Sequence, residues 1–260
     1  LEGLLGRDRH CETTQAEALA QLKQLDVEAQ SGLGQLDQFW SQLDAEATTH
    51  PDRFQESLQR LLPDLSHYCE ITVHLLHQLV LACGDVSLAS LVRLPQGAVA
   101  AARTALKSGC AIVADVPAVA ATLDQTRLAH LGCSITTLID DPHIAAADEA
   151  EQAFWDNDLW QQRLQEVPAG SVLVIGYAPS VLLRACQGIE QGTLQPALVI
   201  GMPIGFSHAP VAKRQLMALS VPYITIQGSL GGGLLAAVAL NALLESLIEK
   251  PDCHCYLTRP

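Results

Sequence analysis

The stretch of residues 171–206 constrains the fold of this chain most strongly. It contains two short, continuously apolar segments, residues 172–175 and 197–200, separated by a helix-length segment. Continuous apolar strands that alternate with helices are typical of a parallel sheet covered by helices on both faces. Ligands of such sheets bind beyond the carboxyl ends of the strands. We therefore expect the turns at residues 176–179 and 201–206 to border a binding site.

The rest of the chain continues this alternation of strand and helix. The predicted strands are residues 111–115, 135–139, 172–175, 197–200 and 223–226. The predicted helices of this region are residues 97–106, 116–130, 145–166, 180–191, 208–220 and 234–248. Crossovers between parallel strands are right-handed almost without exception. The sequence thus predicts an α/β fold of three layers, with a doubly wound, mostly parallel five-stranded sheet between two helical layers.

Three regions are predicted along the chain. Residues 1–50 are predicted to be an N-terminal helical extension or linker, because leucines recur there at helical spacing among polar residues. Residues 51–250 are predicted to form the α/β domain, and residues 251–260 a polar tail. The tail holds Cys253, His254 and Cys255, but no second ligand pair accompanies them, so we predict no metal site. The sequence begins at Leu1, which leaves open that it is a fragment of a longer protein.

Charge and cysteine usage narrow the class of partner. The formal net charge of −13 argues against nucleic acid or an acidic membrane surface, because both attract basic proteins. No segment contains the roughly 18 uninterrupted apolar residues of a membrane span. The eight cysteines form no CxxC pair and lie mostly in apolar segments, which is typical of reduced thiols. We therefore expect a cytoplasmic protein that binds a small molecule, without nucleic acid or membrane partners.

A predicted helix near residues 66–83 carries a stripe of polar side chains. At helical spacing, His67, Glu70, His74, His77 and Leu81 share one face, and Gly84 then ends the helix. Three interpretations are open: a solvated polar face, a stripe that faces a cavity with one histidine titrating near neutral pH, or a metal site.

Several residues with useful chemistry follow the predicted strands. The turn at residues 228–233 is rich in glycine and opens a helix, so it is either an anion site at a helix N-terminus or a place of close helix-to-sheet packing. Asp115, Asp140 and Asp141 end two strands and serve either as turn anchors or as catalysts. Arg93 and Lys213 lie beside these turns and are either surface charges or contacts for an anionic ligand. Walker A, GxSxG and dinucleotide-binding patterns are absent from the sequence.

Seven segments occur in an order that resembles the precorrin-8X methylmutase family, the precorrin isomerases of cobalamin biosynthesis. They are residues 82–85, 92–99, 112–116, 138–142, 175–179, 200–206 and 221–223. The resemblance is specific because the GMPIGF turn and the VPY segment after it occur together and in order. It covers about residues 51–248 and leaves the first 50 residues as an addition.

The resemblance implies a homodimer with a doubly wound α/β fold and no cofactor. It implies that a methyl group migrates from C-11 to C-12 of a polycarboxylate tetrapyrrole, which gives hydrogenobyrinate. In that family a histidine transfers a proton at the macrocycle, and this lowers the barrier to the shift. The predicted substrate-binding residues are Ser57, Arg93, Asp115 and Lys213, which match family positions, together with Tyr177, Gly231 and Gly232 in the binding-edge turns.

The chain departs from the family at the site itself. Leu81 occupies the position of the histidine, and leucine cannot transfer a proton. Tyr177 stands where the family has asparagine, and Gln227 and Ser229 stand where it usually has arginines. Each lost charge-assisted contact to a substrate carboxylate is worth roughly 1.5–3 kcal/mol.

Two main functional hypotheses follow from these departures. In the first, the protein is a methylmutase in which His77 transfers the proton, from a position about 6 Å before Leu81 along the helix. In the second, the protein binds a tetrapyrrole without turnover and acts as a carrier, sensor or partner subunit through its N-terminal helices. A third possibility is an inactive half that works beside a chelatase or methyltransferase upstream.

Overall fold

One sheet forms the centre of the part of the chain that the structure describes. The structure is a computed structural model that describes Leu62, residues 64–139 and residues 158–248. The predictions for residues 1–50, Ser57, Asp140, Asp141 and the tail lie outside the described residues. Within them the strands are β1 (Val92–Arg93), β2 (Ala111–Ala114), β3 (Ser134–Thr137), β4 (Val172–Ile175), β5 (Leu198–Gly201) and β6 (Tyr223–Ile226).

The strand order across the sheet is β1-β6-β5-β4-β2-β3. Strands β2 to β6 are parallel to one another, as predicted. Strand β1 is antiparallel to β6, with Val92 opposite Ile226 and Arg93 opposite Thr225. The prediction of five strands is therefore wrong, because the sheet has a sixth strand, β1, at its edge. A strand of two residues is too short to show an apolar period, and it is recognisable only by its pairing with β6.

Helices cover both faces of the sheet. They are α1 (Glu70–Cys83), a 3-10 helix (Val86–Ser90), α2 (Ala98–Lys107), α3 (Pro117–Ala121), α4 (Gln125–His130), α5 (Asp158–Gln165), α6 (Pro179–Glu190), α7 (His208–Ala218) and α8 (Gly233–Glu245). Helices α5, α6 and α7 contact one another or the sheet on one side, while α8 packs with α2 and α3 on the other. This arrangement confirms the three-layer fold.

The predicted single helix over residues 116–130 is wrong, because the structure divides it into α3 and α4. Helix α3 ends at Thr122, whose hydroxyl donates to the carbonyl of Val119 at 2.7 Å. Helix α4 begins after Asp124, whose carboxylate accepts from the Arg127 amide at 2.9 Å. Aspartate is among the preferred residues for capping a helix N-terminus, so this break had a signal in the sequence.

Helix α8 is buried between the sheet and helix α1. Its buried residues lie on nearly all sides of the helix and are Leu235, Ala236, Ala237, Ala239, Leu240, Ala242, Leu243 and Leu244. Helix α1 covers it with an apolar face that includes Leu75, Leu76 and Leu79. A helix that is apolar all round requires a partner on each side, and here the sheet and α1 are those partners.

The opposite face has its own apolar core. Leu173 and Ile175 of β4 point into it, and Trp160 of α5, Leu182 of α6 and Leu216 of α7 cover them.

The helices that the structure describes include none with the length and apolar character of a membrane span.

We expect Leu240→Ala to lower the free energy of unfolding by about 3 kcal/mol, because the Leu240 side chain is completely buried and its loss leaves a cavity. Leu234→Ala is the matched control, since the Leu234 side chain in the same helix is 58% exposed and its loss changes stability by less than about 0.5 kcal/mol. Urea unfolding of both variants measures the difference. Equal losses would contradict the burial of α8 under α1.

Candidate functional site at the carboxyl edge of the sheet

The sheet has a topological switch point between β2 and β4. From β2 the chain continues outward to β3, whereas β4 lies on the other side of β2 and leads on to β5 and β6. In open α/β sheets, the crevice between loops that diverge from such a point is a common ligand site. Asp115 follows β2 at this point, and the turn at residues 176–178 follows β4.

The Asp115 carboxylate holds the loops after β2 and β4 together. Its Oδ2 atom accepts hydrogen bonds from the amides of Tyr177 at 2.6 Å and Ala178 at 2.9 Å, and Oδ1 accepts from Val116 at 3.0 Å. The Asp115 side chain is completely buried. Burial raises the pKa of this carboxyl, and the backbone hydrogen bonds from Ala178, Tyr177, Gly176 and Val116 oppose that rise. Asp115 was predicted as a turn anchor, a catalyst or a substrate-binding residue, and its buried carboxylate with three backbone amide partners has the position of a turn anchor.

The turns after β5 and β6 are joined by backbone contacts. The Gly232 amide donates to the Met202 carbonyl at 2.6 Å, and the Gly205 amide donates to the Ser229 carbonyl at 3.1 Å. A Cβ atom at Gly231 would lie 2.2 Å from the Met202 oxygen, so only glycine fits there. Close packing, the second interpretation of the glycine-rich turn, thus accounts for Gly231 and for the amide of Gly232.

The first turn of α8 has backbone amides that could bind an anion. As the first residues of a helix, Gly233, Leu234 and Leu235 have amides without a partner inside that helix. These amides point toward the carboxyl edge of the sheet, where the positive end of the helix dipole lies. The start of α8 can therefore receive a carboxylate, one residue beyond the predicted Gly231 and Gly232.

Lys213 lies beneath the glycine-rich turn. Its side chain is completely buried, and its ammonium donates to the Leu230 carbonyl at 2.6 Å. Burial lowers the pKa of Lys213 to about 8. Lys213 was predicted to bind substrate. In the structure its ammonium contacts the backbone of the glycine-rich turn and does not reach the surface.

Arg93 lies away from the switch point. It belongs to β1, four strand spacings or roughly 19 Å across the sheet from the end of β2. Its Nη1 atom donates to the carbonyls of Ser90 at 2.7 Å and Val92 at 2.9 Å. The structure therefore brings Tyr177, Gly231 and Gly232 to one edge region but does not bring Arg93 to Asp115.

One histidine of the polar stripe on α1 contacts the end of α8. The His74 Nε2 atom lies 2.9 Å from Glu245 Oε2, and since Glu245 is the last residue of α8, the two packed helices run in opposite directions. His77 is half-buried, and burial, followed by the charge of His74, lowers its pKa. No group of three or more potential metal ligands occurs among the described residues, so the metal interpretation of the stripe gains no support there.

Leu81 is nearer to the carboxyl edge than His77 is. From His74 the axis of α1 rises by about 4.5 Å to His77 and by about 10 Å to Leu81, in the direction of the start of α8. The Leu81 side chain is 47% exposed. Leu81 is therefore accessible, and His77 lies one helical turn farther from the carboxyl edge.

Sequence reasoning missed His208. This histidine is exposed and begins α7, two residues after Phe206 in the turn that follows β5. It therefore lies at the carboxyl edge of the sheet. Its position directly after the GMPIGF turn could have indicated His208, but only the histidines of the polar stripe were predicted as site residues.

We expect Gly231→Ala to destabilise the protein by at least about 1 kcal/mol more than Gly228→Ala does. A Cβ at Gly231 would collide with the Met202 carbonyl, whereas a Cβ at Gly228 would meet no atom within 4 Å and suffer only from its positive φ of 90°. Urea unfolding measures both losses. A smaller effect at Gly231 would contradict the close contact of the two turns.

We expect the free energy of unfolding of the wild type to rise relative to that of Lys213→Met as the pH increases from 8 to 10.5. The folded-state pKa of about 8 lies below the ordinary value of 10.5, so between these pH values the unfolded chain binds more protons. The stabilisation that neutral Lys213 contributes is complete above pH 10.5 and is lost as the pH falls to about 8. Urea unfolding across this range measures it, and parallel curves for both proteins would refute the burial of the amine.

Known proteins share this fold and much of this sequence. The sequence profile of the family CbiC, precorrin-8X methylmutase, matches residues 54–246. The chain is 36% identical over 178 residues to the precorrin-8X methylmutase of Pseudomonas aeruginosa, covering 67% of this chain and 82% of that protein. It is 36% identical over 184 residues to the Sinorhizobium precorrin-8X methylmutase, covering 69% of this chain and 86% of that protein.

The structural comparison agrees with the sequence comparison. The precorrin-8x methyl mutase of Thermus thermophilus superposes with a TM-score of 0.60 at 32% identity, covering 75% of this chain and 96% of that chain. The residues matched by the profile include all six described strands and the turns at their carboxyl ends. The chain therefore belongs to the precorrin-8X methylmutase family.

Proposed function

We propose that this protein is an isomerase of cobalamin biosynthesis that moves a methyl group from C-11 to C-12 of a precorrin-8X-like tetrapyrrole. The observation that carries the proposal is the family match over residues 54–246, which includes every turn at the carboxyl edge of the sheet. The reaction is intramolecular, so the methyl group leaves one ring carbon and joins its neighbour while the composition of the substrate is unchanged. The product is hydrogenobyrinate, and no cofactor takes part.

The substrate is proposed to lie across the carboxyl ends of β4, β5 and β6. Tyr177, Gly231 and Gly232 border this region, and the amides at the start of α8 are donors for a side-chain carboxylate of the substrate. Asp115 and Lys213 contribute from below by fixing the turns that carry these groups. Rigid turns matter because a small displacement of the reacting atoms slows a reaction strongly.

Proton transfer is the step for which this chain lacks the family's residue. His77 is the candidate predicted from sequence, yet its lowered pKa reduces the fraction of His77 that is protonated at a given pH, and it lies one helical turn before Leu81 on α1. His208 is a second candidate because it is exposed at the carboxyl edge. Either histidine would need to reach the macrocycle from a direction different from that of the family's histidine.

The exposed side chain of Leu81 favours a second candidate function, which is binding without turnover. A leucine at this position leaves the bound macrocycle without a proton donor beside it. Such a protein would hold a tetrapyrrole as a carrier, a sensor or a partner subunit. The family fold supports both functions, and only turnover separates them.

Two further properties belong to the same proposal. We infer a homodimer from membership of the family, and sedimentation of the purified chain measures the association. We also infer a cytoplasmic location from the free thiols of Cys69, Cys83, Cys110, Cys133 and Cys186 among the described residues.

An absorbance time course with precorrin-8X tests the proposal. We expect the wild type to convert many equivalents of substrate to the product corrin. We expect Leu81→His to raise kcat by about 100-fold, because a positioned general acid contributes roughly 10²–10⁴-fold. Leu81→Gln is the matched control, since glutamine is polar but cannot transfer the proton, and it should leave kcat near the wild-type value.

The same assay assigns the histidine and distinguishes the two functions. A loss of turnover in His77→Ala or in His208→Ala identifies the group that transfers the proton. A spectral change that stops at one equivalent in the wild type would refute turnover and favour the binding function. If precorrin-8X causes no spectral change, the tetrapyrrole assignment itself is wrong.

A further inference from the structure

Two free cysteines lie side by side at the amino edge of the sheet, the edge opposite the candidate functional site. Cys110 directly precedes β2 and Cys133 directly precedes β3. The parallel register of these strands pairs Ala111 with Ser134, and continued by one residue it places Cys110 opposite Cys133. Neighbouring strands lie about 4.7–4.9 Å apart, which is within the range of about 4.4–6.8 Å between the Cα atoms of a disulfide.

The same kind of turn places each cysteine. Gly109 follows the end of α2 and Gly132 follows the end of α4, with positive φ angles of 72° and 73°. The amide of the next residue donates to a carbonyl inside the preceding helix, at 3.3 Å for Cys110 and at 2.9 Å for Cys133. This is the Schellman pattern by which a glycine ends a helix. A Gly-Cys pair at both helix ends thus puts a thiol at the start of each neighbouring strand.

The two turns touch each other. A Cβ at Gly109 would lie 3.2 Å from the Gly132 carbonyl oxygen, so the backbones are in close contact. The Cys133 thiol donates to the Leu106 carbonyl at 3.5 Å, and Leu106 belongs to the last turn of α2. The Cys133 side chain therefore points toward the segment that leads into Cys110.

Burial makes both thiols poor acids. It raises the pKa of Cys110 to about 12, and the charge that Cys133 would carry adds to this rise. Burial also raises the pKa of Cys133, and hydrogen bonding with Cys110 opposes that rise. A disulfide is uncharged, so burial does not oppose its formation as it opposes a lone thiolate. Both cysteines are only half-buried, which leaves them open to a small reagent.

We propose that Cys110 and Cys133 form an oxidisable dithiol that a hydroperoxide converts to a disulfide. The Cys133 sulfur attacks one peroxide oxygen, the O–O bond breaks, and water or an alcohol leaves, which gives a sulfenic acid. The Cys110 sulfur then attacks the Cys133 sulfur, the S–O bond breaks, and water leaves with the Cys110 proton. The peroxide takes up the two electrons that the thiols lose, and a thiol reductant reverses the change.

The disulfide closes residues 110–133 into a loop that contains Asp115 and α3. Helix α3 packs against the start of α8, where a Cβ at Gly233 would lie 2.8 Å from the Val119 side chain. A covalent bond across the loop restricts the unfolded chain far more than the folded one. The oxidised protein is therefore the more stable form, whichever of the two candidate functions holds.

Peptide mapping of the full chain tests the proposal. Trypsin cleavage after Lys107, Arg127 and Arg163 places the two cysteines in separate peptides that contain no other cysteine. We expect hydrogen peroxide, followed by alkylation of the remaining thiols, to yield these two peptides joined by a bond that dithiothreitol breaks. The yield should be at least about tenfold higher from the folded protein than from protein oxidised in urea, because the fold holds the two sulfurs together.

Thermal unfolding measures the consequence of the bond. We expect the Tm of the oxidised wild type to exceed that of the reduced wild type by about 6 °C. Oxidation of Cys110→Ser or of Cys133→Ser should cause no such rise, and comparing each variant with its own reduced form removes any effect of the substitution itself. Cys186→Ser is the matched control, since Cys186 is a buried cysteine of α6 outside the pair, and this variant should keep the rise.

Each result supports or overturns the proposal. The absence of the joined peptides, or their formation only in urea, overturns it. A dominant bond from either cysteine to a third cysteine overturns it as well, and so does a Tm that stays constant or falls on oxidation. Joined peptides from the folded protein, with a rise in Tm that both serine variants of the pair lose and Cys186→Ser keeps, support it.

Discussion

The contact between the turns after β5 and β6 is the constraint on which the carboxyl edge depends. The Met202 carbonyl approaches the backbone at residues 231–232 so closely that a side chain at Gly231 is impossible. This contact sets where α8 begins, and α8 in turn is buried between the sheet and α1. The positions of the exposed side chains at this edge follow from a contact between two segments of backbone.

Two buried charged residues stabilise the same edge from within the fold. Asp115 accepts backbone amides at the switch point, and Lys213 donates to a carbonyl of the glycine-rich turn. A buried charge is costly unless its hydrogen bonds are made, and here the partners are backbone groups of the loops. Both residues look like ligand-binding groups in the sequence, whereas in the structure their polar atoms are engaged in positioning turns.

Membership of the precorrin-8X methylmutase family and the chemistry of this particular edge are separate matters. The family fold is present with its strand order and its carboxyl-edge turns. At the position where the resemblance predicts a proton donor, the exposed side chain is Leu81, and Gln227 and Ser229 stand where the family usually has arginines. The family match shows the fold, and we propose that these substitutions alter how a proton is transferred.

The sequence by itself determined the parallel α/β architecture, because continuous apolar strands such as β4 and β6 and the long apolar helix α8 are local patterns. Strands β4 and β6 were predicted to the residue, and Gly84 was correctly predicted to end α1. Only the tertiary structure decided the edge strand β1, the assignment of Asp115 and Lys213 to turns, and the separation of Arg93 from the switch point. Those features depend on which segments become neighbours in space, and a hydrogen bond between residues far apart in the chain leaves no periodic pattern in either segment.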